Sequence, residues 1–369
     1  MDVMVLMGEQ VMDPFGDLRQ AAVPFEPVVD PAGWTAAEMA AREDWLYSFN
    51  DDEIAELRAA IAPFDHDDID LMTVEASDLP LPSLATSLRD IRQELLYGRG
   101  FVMFRGLPVE EMGKRASAVA FWAVSRHLSD NVFSQNKRGH VLGHVTDLGE
   151  SRANPSQRGP YSREEIPFHV DCCDIVGLLC METPLSGGES SIVSSVTLHN
   201  EILKRRPDLA RIAAEPYYRD RRDEVPPGMQ PYYKLPIFNF YQGYFSANVE
   251  PTYIGSANRF KECGEMSPAQ KEALELSQSL ARDMRFDQGF SRGDMQFVNN
   301  HVIFHSRRSY VDHADPDRKR HLLRVWLKAL DGRPLPDAFY ERHGTRETID
   351  RPGGIVGLDT VLNAPIYRE

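Results

Sequence analysis

Apolar residues recur every three or four positions in several stretches of the chain, which is the spacing of an amphipathic helix. In one stretch Leu84, Leu88, Ile91 and Leu95 fall on one face, and Gly98 follows as a helix-terminating residue. A Ser-Pro-Ala-Gln sequence starting at residue 267 combines a capping box with proline at the first helical position. The predicted helices cover residues 51–62, capped by Asp51 and Asp52, and residues 83–97, 111–128, 197–209 and 267–284.

Shorter segments have the pattern of β-strands. Residues 175–181 form a continuous apolar run that ends at a Pro-Leu-Ser-Gly-Gly turn, which predicts a buried strand. Residues 100–106 and 190–196 are also predicted strands. Aromatic residues alternate with polar ones over residues 216–249 and predict β-hairpins, although the same pattern is compatible with a substrate-binding wall. Periodicity alone therefore predicts a mixed α and β protein with many strands.

The 369-residue chain is predicted to form a single domain, because no linker rich in proline, glycine or serine divides it. Hydrophobic residues make up 42% of the chain, which is enough for a large core, and the charged fraction of 26% is ordinary for a globular protein. Prolines and acidic residues interrupt residues 1–50, so we expect this segment to be an N-terminal arm laid over the domain.

The charge balance narrows the choice of partners. There are 56 acidic and 41 basic residues, a formal net charge of -15, which disfavours nucleic acid and anionic membranes as the general partner, whereas local basic clusters could still bind a small anion. Four cysteines do not make a disulfide framework in a chain of this length, and the first residues lack the basic region of a signal peptide. We therefore expect a cytoplasmic protein. No apolar run approaches 18 residues, so no membrane span is predicted, and a homo-oligomer is compatible with the sequence.

Three residues are candidates for a metal centre. His169 and Asp171 are two positions apart in an apolar segment, so they would point to the same face of an extended strand. His305 lies in another apolar segment far along the chain. Two imidazoles and one carboxylate on one face leave about three positions of an octahedron open, which is the arrangement of non-haem Fe(II) oxygenases. A histidine and an aspartate at this spacing are common, however, and do not identify such a centre by themselves.

Four motifs in order make the chemistry more specific. They are FHVD at 168–171, GGES at 187–190, GDMQFVNN at 293–300 ahead of His305, and RHLLRVWL at 320–327. Together they resemble the signature of the TauD/TfdA-like (taurine dioxygenase) family of Fe(II)- and 2-oxoglutarate-dependent oxygenases, over Gly98 to Leu327. The resemblance implies an α+β, mainly β fold, a double-stranded β-helix (jelly roll, cupin-like) with covering helices. It places the catalytic core at residues 98–330.

The resemblance also implies which cofactors the protein uses and which residues bind them. Fe(II), 2-oxoglutarate and O2 would be used, with release of succinate and CO2, and His169, Asp171 and His305 would be the metal ligands. The family's Arg-x-x-x-Arg pair corresponds to Arg320 and Arg324, which lie after the distal histidine.

On this basis Arg324 is expected to anchor the far carboxylate of 2-oxoglutarate, with Arg320 secondary. Ser190 stands where many members of the family carry a threonine that helps to bind the cofactor. His305 is preferred to the nearby His301 and His313 because the spacing from Asn299-Asn300 fits the family. Cys172 and Cys173 are expected to be packing residues.

Alternative functions remain open at this point. A Zn(II) hydrolase could use the same three ligands to activate water, and a non-catalytic binding sandwich needs none of them. Asp171 in the carboxylate position favours hydroxylation over halogenation, in which a halide takes that place. The sequence does not identify the substrate. The polar segment 130–165 offers candidate contacts, although solvated loop residues are the favoured interpretation of its two histidines; the candidates are Asn131, Ser134, Gln135, His140, His144 and Asp147.

Overall fold

The computed structural model describes residues 13–149, 162–226, 228–355 and 360–367. Its helices are α1 (Ala36–Ala40), α2 (Asp51–Ile61), α3 (Leu84–Leu96), α4 (Val109–His127), α5 (Ser195–Arg205), α6 (Pro207–Ala213), α7 (Pro251–Ser256), α8 (Pro268–Met284) and α9 (Asp337–Tyr340). Its strands are β1 (Leu46–Ser48), β2 (Phe101–Arg105), β3 (Asn131–Phe133), β4 (Leu142–Thr146), β5 (Ile166–His169), β6 (Ile175–Glu182), β7 (Ser186–Gly187), β8 (Ser190–Ser194), β9 (Tyr217–Asp220), β10 (Tyr232–Leu235), β11 (Phe238–Tyr241), β12 (Tyr244–Ala247), β13 (Phe286–Gln288), β14 (Met295–Asn299), β15 (Ile303–Arg307), β16 (Tyr310–Val311) and β17 (His321–Lys328).

Two facing sheets form the centre of the protein. The larger has the order β1-β2-β14-β6-β17-β3, with β4 also paired to β17, and the smaller has the order β13-β8-β15-β5. Every pairing in these sheets is antiparallel except β1 with β2. Phe168 and Phe304 of the smaller sheet share one buried apolar cluster with Val298 and Trp326 of the larger. This two-sheet arrangement confirms the predicted jelly roll.

Helices cover the outer faces of both sheets. Phe121 and Trp122 of α4 are buried in one apolar cluster with Phe297 and Val325, which belong to the larger sheet. Helices α5, α6 and α8 contact one another beside the smaller sheet, where α8 also contacts β5. Because the same strands bury one face between the sheets and the other beneath helices, their sequences are apolar on both faces.

The helix predictions hold with local corrections. Helix α8 begins with the predicted capping box, in which the Ser267 hydroxyl accepts from the Gln270 amide at 3.1 Å. Asn50, not the Asp51-Asp52 pair, caps α2 through its side-chain oxygen. The single helix predicted over 197–209 is two helices, because Pro207 starts α6 and cannot continue the hydrogen bonding of α5. The hairpins predicted in the aromatic region are β9 with β10 and β11 with β12.

The N-terminal arm is more integrated than predicted. Its strand β1 pairs with β2 and extends the larger sheet. Asp30 is buried and accepts hydrogen bonds from Arg333 at 2.6 and 2.9 Å and from Arg19 at 2.8 Å. These ion pairs connect the arm to the segment after β17, so residues beyond 330 also belong to the folded unit. None of the described helices has the length and apolarity needed to cross a bilayer.

Replacing Asp30 with asparagine should destabilise the protein by about 3–5 kcal/mol at pH 7, because it leaves buried guanidinium groups without their carboxylate. Burial alone raises the pKa of Asp30, but Arg333 and Arg19 outweigh it and lower the pKa to about 2. An aspartate in the unfolded chain has a pKa of about 3.9. The stabilisation that the Asp30 carboxylate provides is therefore complete above about pH 4 and is lost as the pH falls toward about 2.

Urea unfolding measures the free energy of unfolding of wild type and of Asp30→Asn at pH 7 and at pH 3. The difference between the two proteins should be smaller at pH 3. Asp208→Asn is the matched control, because Asp208 pairs with Arg206 on the surface and should change stability much less. Equal stability of Asp30→Asn and wild type at pH 7 would show that the ion pairs do not hold the arm.

Candidate active site

The two histidines of the predicted triad meet because their strands are neighbours. Strands β5 and β15 pair antiparallel with His169 opposite His305, and the two imidazole centroids are 4.4 Å apart. Asp171 lies two residues beyond the end of β5, so its position is set by a loop and not by strand alternation as predicted. The backbone N–H of Asp171 donates to the side-chain oxygen of Asn300 at 3.0 Å, and Asn300 follows β14.

His169, Asp171 and His305 each offer one potential ligand atom, and these three atoms all lie within 4.8 Å of one another. His305 Nε2 and Asp171 Oδ2 are 4.0 Å apart. The Nδ1 atom of His169 is 2.9 Å from the carbonyl oxygen of Pro167, which can only accept, so Nδ1 carries the proton and Nε2 keeps its lone pair. The described residues contain no second cluster of three histidine, cysteine or acidic groups with this spacing.

The electrostatics of the triad suit a divalent cation. Burial lowers the pKa of His169, and burial together with the neighbouring His169 lowers the pKa of His305 to about 3. Burial raises the pKa of Asp171, but the charge of Arg324 and the two imidazoles outweigh it, so the pKa falls below its usual value. Near pH 7 the triad is thus two neutral imidazoles and one carboxylate, which is the state that binds Fe(II).

The other residues considered as ligands are engaged elsewhere. His301 Nε2 lies 2.7 Å from the carboxylate of Asp174. Burial raises the pKa of the Cys172 thiol to about 12 and that of Cys173 well above its usual value, so both stay protonated. The Cys173 thiol donates to the carbonyl of Ile175 at 3.4 Å. These contacts agree with packing roles for both cysteines.

Two side chains donate hydrogen bonds to the carboxylate of Asp171. The Trp326 indole N–H donates to Oδ2 at 2.8 Å, and Arg324 Nη1 lies 3.2 Å from the same oxygen. Arg324 Nε also donates to the side-chain oxygen of Gln135 at 2.7 Å. No role in the site was predicted for Trp326, since a sequence pattern does not indicate where its single N–H points.

Arg320 occupies a different environment. Arg320 is 3% exposed. Its Nη2 donates weakly to the carbonyl of Gly188 at 3.4 Å, and its Nη1 has no hydrogen-bond partner among the described residues. The guanidinium carbon lies 5.2 Å from the centroid of the Tyr310 ring. Ser190 follows the same glycine turn, and its hydroxyl donates to the Gln296 side chain at 2.7 Å. A buried guanidinium with an open donor requires an anion for full compensation.

Among the described residues of the polar segment before β5, Gln135 contacts this region through Arg324. His144 is not the solvated loop residue that the sequence favoured, because it lies on β4 with its ring stacked on His321 at a centroid distance of 5.1 Å. His140 forms an isolated bridge with Asn363. Residues 150–161 of the predicted wall lie outside the described residues. The remaining candidates contact nearby groups: Asn131 accepts from Val132 N, Ser134 donates to Asn136 O, and Asp147 pairs with Arg163.

Comparison with known sequences agrees with this geometry. The family model described as taurine catabolism dioxygenase TauD, TfdA family matches residues 61–326. FR-33289 synthase of Streptomyces rubellomurinus is 28% identical over 319 residues, which cover 85% of this chain and 94% of the relative. The taurine hydroxylase-like protein SAT17 of Stachybotrys chartarum is 25% identical over 306 residues, which cover 80% of this chain and 78% of the relative.

Solved structures support the same fold. Asparagine oxygenase in complex with Fe(II), 2S,3S-3-hydroxyasparagine and succinate has a TM-score of 0.59 at 16% identity, covering 78% of this chain and 94% of the other. The non-heme iron oxygenase OrfP in complex with Fe and alpha-ketoglutaric acid has a TM-score of 0.56 at 14% identity, covering 77% and 94%. The family match spans well over half of the chain. The protein therefore belongs to the TauD, TfdA family, and it is an Fe(II)- and 2-oxoglutarate-dependent dioxygenase.

Proposed function

We propose that this dioxygenase hydroxylates a small molecule at a metal centre held by His169, Asp171 and His305. The observation that carries the proposal is the three-residue cluster, in which the Asp171 carboxylate lies 3.2 Å from the guanidinium of Arg324. Asparagine oxygenase and OrfP are described with hydroxylated asparagine and hydroxylated arginine, which supports a small polar substrate. Retention of the Asp171 carboxylate supports hydroxylation over halogenation.

When bound together, Fe(II), 2-oxoglutarate and O2 supply the oxidant, and 2-oxoglutarate leaves as succinate and CO2. The protein's own residues bind and orient these groups. His169 is fixed by the carbonyl of Pro167, and Asp171 is fixed by the indole N–H of Trp326. Ligands held in this way need little reorganisation when the metal binds.

We assign the far carboxylate of 2-oxoglutarate to Arg320 in preference to Arg324, which reverses the order expected from the sequence. Arg324 already contacts Asp171 and Gln135, so its charge is balanced by a carboxylate within the site. Arg320 is buried, has an open Nη1 and lies beside the glycine turn that leads to Ser190. We propose that the Ser190 hydroxyl turns its O–H from Gln296 to the same carboxylate when 2-oxoglutarate binds, and that Arg324 orients Asp171.

A Zn(II) hydrolase built on the same triad is the less favoured alternative. Its activated water would need the three ligands but no further cation near them. The buried guanidinium of Arg320, which has an open donor just before β17, suits an anionic cofactor such as 2-oxoglutarate. The family match also favours the oxygenase.

Replacing either Asp171 or His305 with alanine should abolish Fe(II)-dependent succinate formation while the protein remains folded. The triad is an addition to a core whose buried apolar residues lie between the sheets and beneath the helices, so the fold does not need the metal. Succinate release measures turnover, and circular dichroism with thermal melting checks the fold. Full succinate formation by either purified variant would contradict the ligand assignment.

Arg320→Ala should weaken 2-oxoglutarate binding by at least ~30-fold, because loss of about 2–5 kcal/mol follows when a buried charge partner is removed. Arg320→Lys should recover only part of the affinity, since an ammonium lacks the two parallel donors of a guanidinium. Titration of 2-oxoglutarate into anaerobic Fe(II) enzyme, followed by the metal-to-ligand charge-transfer band, measures the dissociation constant.

Arg324→Ala is the matched comparison, and we expect it to change that constant less than Arg320→Ala. If Arg324→Ala weakens 2-oxoglutarate binding more than Arg320→Ala does, the far carboxylate is bound by Arg324, as the family resemblance first implied. Unchanged binding in both variants would refute the cofactor site as assigned.

A further inference from the structure

A chain of three hydrogen-bonded side chains ends at Ser190. The Ser190 hydroxyl donates to Gln296 Oε1 at 2.7 Å, and Gln296 Nε2 donates to Gln288 Oε1 at 2.6 Å. All three residues are buried. Neither glutamine is among the residues assigned to the metal or to the cofactor, so the role of this buried polar chain is still open.

The fold brings the three side chains together from both sheets. Ser190 on β8 and Gln288 on β13 are directly opposite each other in an antiparallel pair, so their side chains project from the same face of the smaller sheet. Gln296 lies on β14 of the larger sheet and meets both of them. Among the described residues, no charged side chain forms a hydrogen bond with any of the three. The direction of the hydrogen bonds is therefore set by the three groups themselves.

The direction found in the structure leaves a donor without an acceptor. Gln288 Nε2 is buried and has no hydrogen-bond partner within the part of the chain that the structure describes. A buried N–H that lacks an acceptor is costly, and it is rarer in proteins than a carbonyl oxygen that lacks a donor. The chain thus ends on its less favourable group, at the end away from Ser190.

The same side chains can also form the chain in the opposite direction. A turn of about 180° around the last side-chain torsion exchanges the oxygen and nitrogen of a glutamine amide without moving the backbone. After both amides turn, Gln288 Nε2 would donate to Gln296 Oε1, and Gln296 Nε2 would donate to Ser190 Oγ. The unpartnered atom would then be a carbonyl oxygen. The Ser190 O–H, however, would need another acceptor, which a carboxylate bound beside Ser190 supplies.

We propose that Gln296 and Gln288 are positioning residues for 2-oxoglutarate, and that both amides turn when the far carboxylate of the cofactor binds. The inference rests on the proposed function and adds to it the means by which Ser190 exchanges Gln296 for the cofactor. Without the turn, the carboxylate would take the O–H of Ser190 and leave Gln296 Oε1 buried without a donor. With the turn, Gln296 donates to Ser190 Oγ, and a hydroxyl that accepts in this way is a stronger donor to the carboxylate.

Gln288→Glu tests the proposal, because an ionised carboxylate accepts but cannot donate and so holds Gln296 in the direction found in the structure. 2-Oxoglutarate is titrated at pH 8 into anaerobic Fe(II) enzyme, and the metal-to-ligand charge-transfer band gives its dissociation constant. We expect this constant to rise at least about 10-fold, which corresponds to the loss of one or two hydrogen bonds. Gln288→Met is the matched control of similar size. It neither donates nor accepts strongly, so it fixes neither direction and should change the constant less than about 3-fold.

The Ser190→Ala background separates the hydrogen-bond effect of Gln288→Glu from the repulsion between its charge and the cofactor. Without the hydroxyl there is no proton for the chain to hold, so the fold-change caused by Gln288→Glu should be at least about 5-fold smaller in Ser190→Ala. Repulsion alone would give the same fold-change in both backgrounds. That result, or unchanged binding in Gln288→Glu, would overturn the proposal.

Thermal melting checks that each variant is folded. If Gln288→Glu does not fold, Gln296→Glu takes its place, because an acceptor beside Ser190 holds the hydroxyl proton directly. The same loss of binding and the same dependence on Ser190 are expected, and their absence would again overturn the proposal. Absence of the charge-transfer band in the wild type would instead overturn the proposed function, on which the inference rests.

Discussion

The antiparallel pairing of β5 with β15 is the constraint on which the active site depends. It sets His169 directly opposite His305, although the two residues are far apart in sequence, and it closes the smaller sheet at that edge. The pairing requires the turn between β14 and β15, because that turn passes the chain from the larger sheet to the smaller one. Asn300 in this turn accepts from the backbone of Asp171, so one connection positions all three proposed ligands. The proposed metal centre is therefore a consequence of how the two sheets are joined.

The segment after β17 stabilises the same region from outside the jelly roll. Asp174, three residues beyond Asp171, accepts from Arg351 at 2.8 Å and from the backbone of Ala329 at 2.9 Å, and its carboxylate contacts His301 at 2.7 Å. Burial raises the pKa of Asp174, but Arg351 and His301 outweigh it, so the carboxylate is charged and fully paired. The loop that carries Asp171 is thus held between the sheet and the C-terminal segment. Residues beyond the family motifs, Arg342 and His343 among them, therefore line a small cavity together with Asp171.

The sequence predicted the parts of the protein that depend on local pattern. The capping box at Ser267 and the apolar run of β6 have short-range causes, and both were correctly located. The two-sheet fold and the triad needed the ordered motifs, because periodicity does not reveal which strands become neighbours. Strand β1 was missed, since its pairing depends on β2 far along the chain.

The roles of Arg320 and Arg324 could not be separated by spacing, because only the folded structure distinguishes an arginine that contacts Asp171 from one with an open donor. Arg342 lies outside every motif, and its burial beside Glu250 is a tertiary property.

The central claim is that the triad directs oxygen from O2, and not from water, into the products. Turnover under 18O2 in unlabelled water, with succinate and any oxidised substrate examined by mass spectrometry, tests it most directly. A dioxygenase places one 18O atom in succinate and one in the hydroxylated product, and the succinate label also appears in turnover without substrate. Unlabelled succinate would contradict the account, and so would a product formed without any succinate whose new oxygen comes only from water; this second outcome would favour a metal-dependent hydrolase.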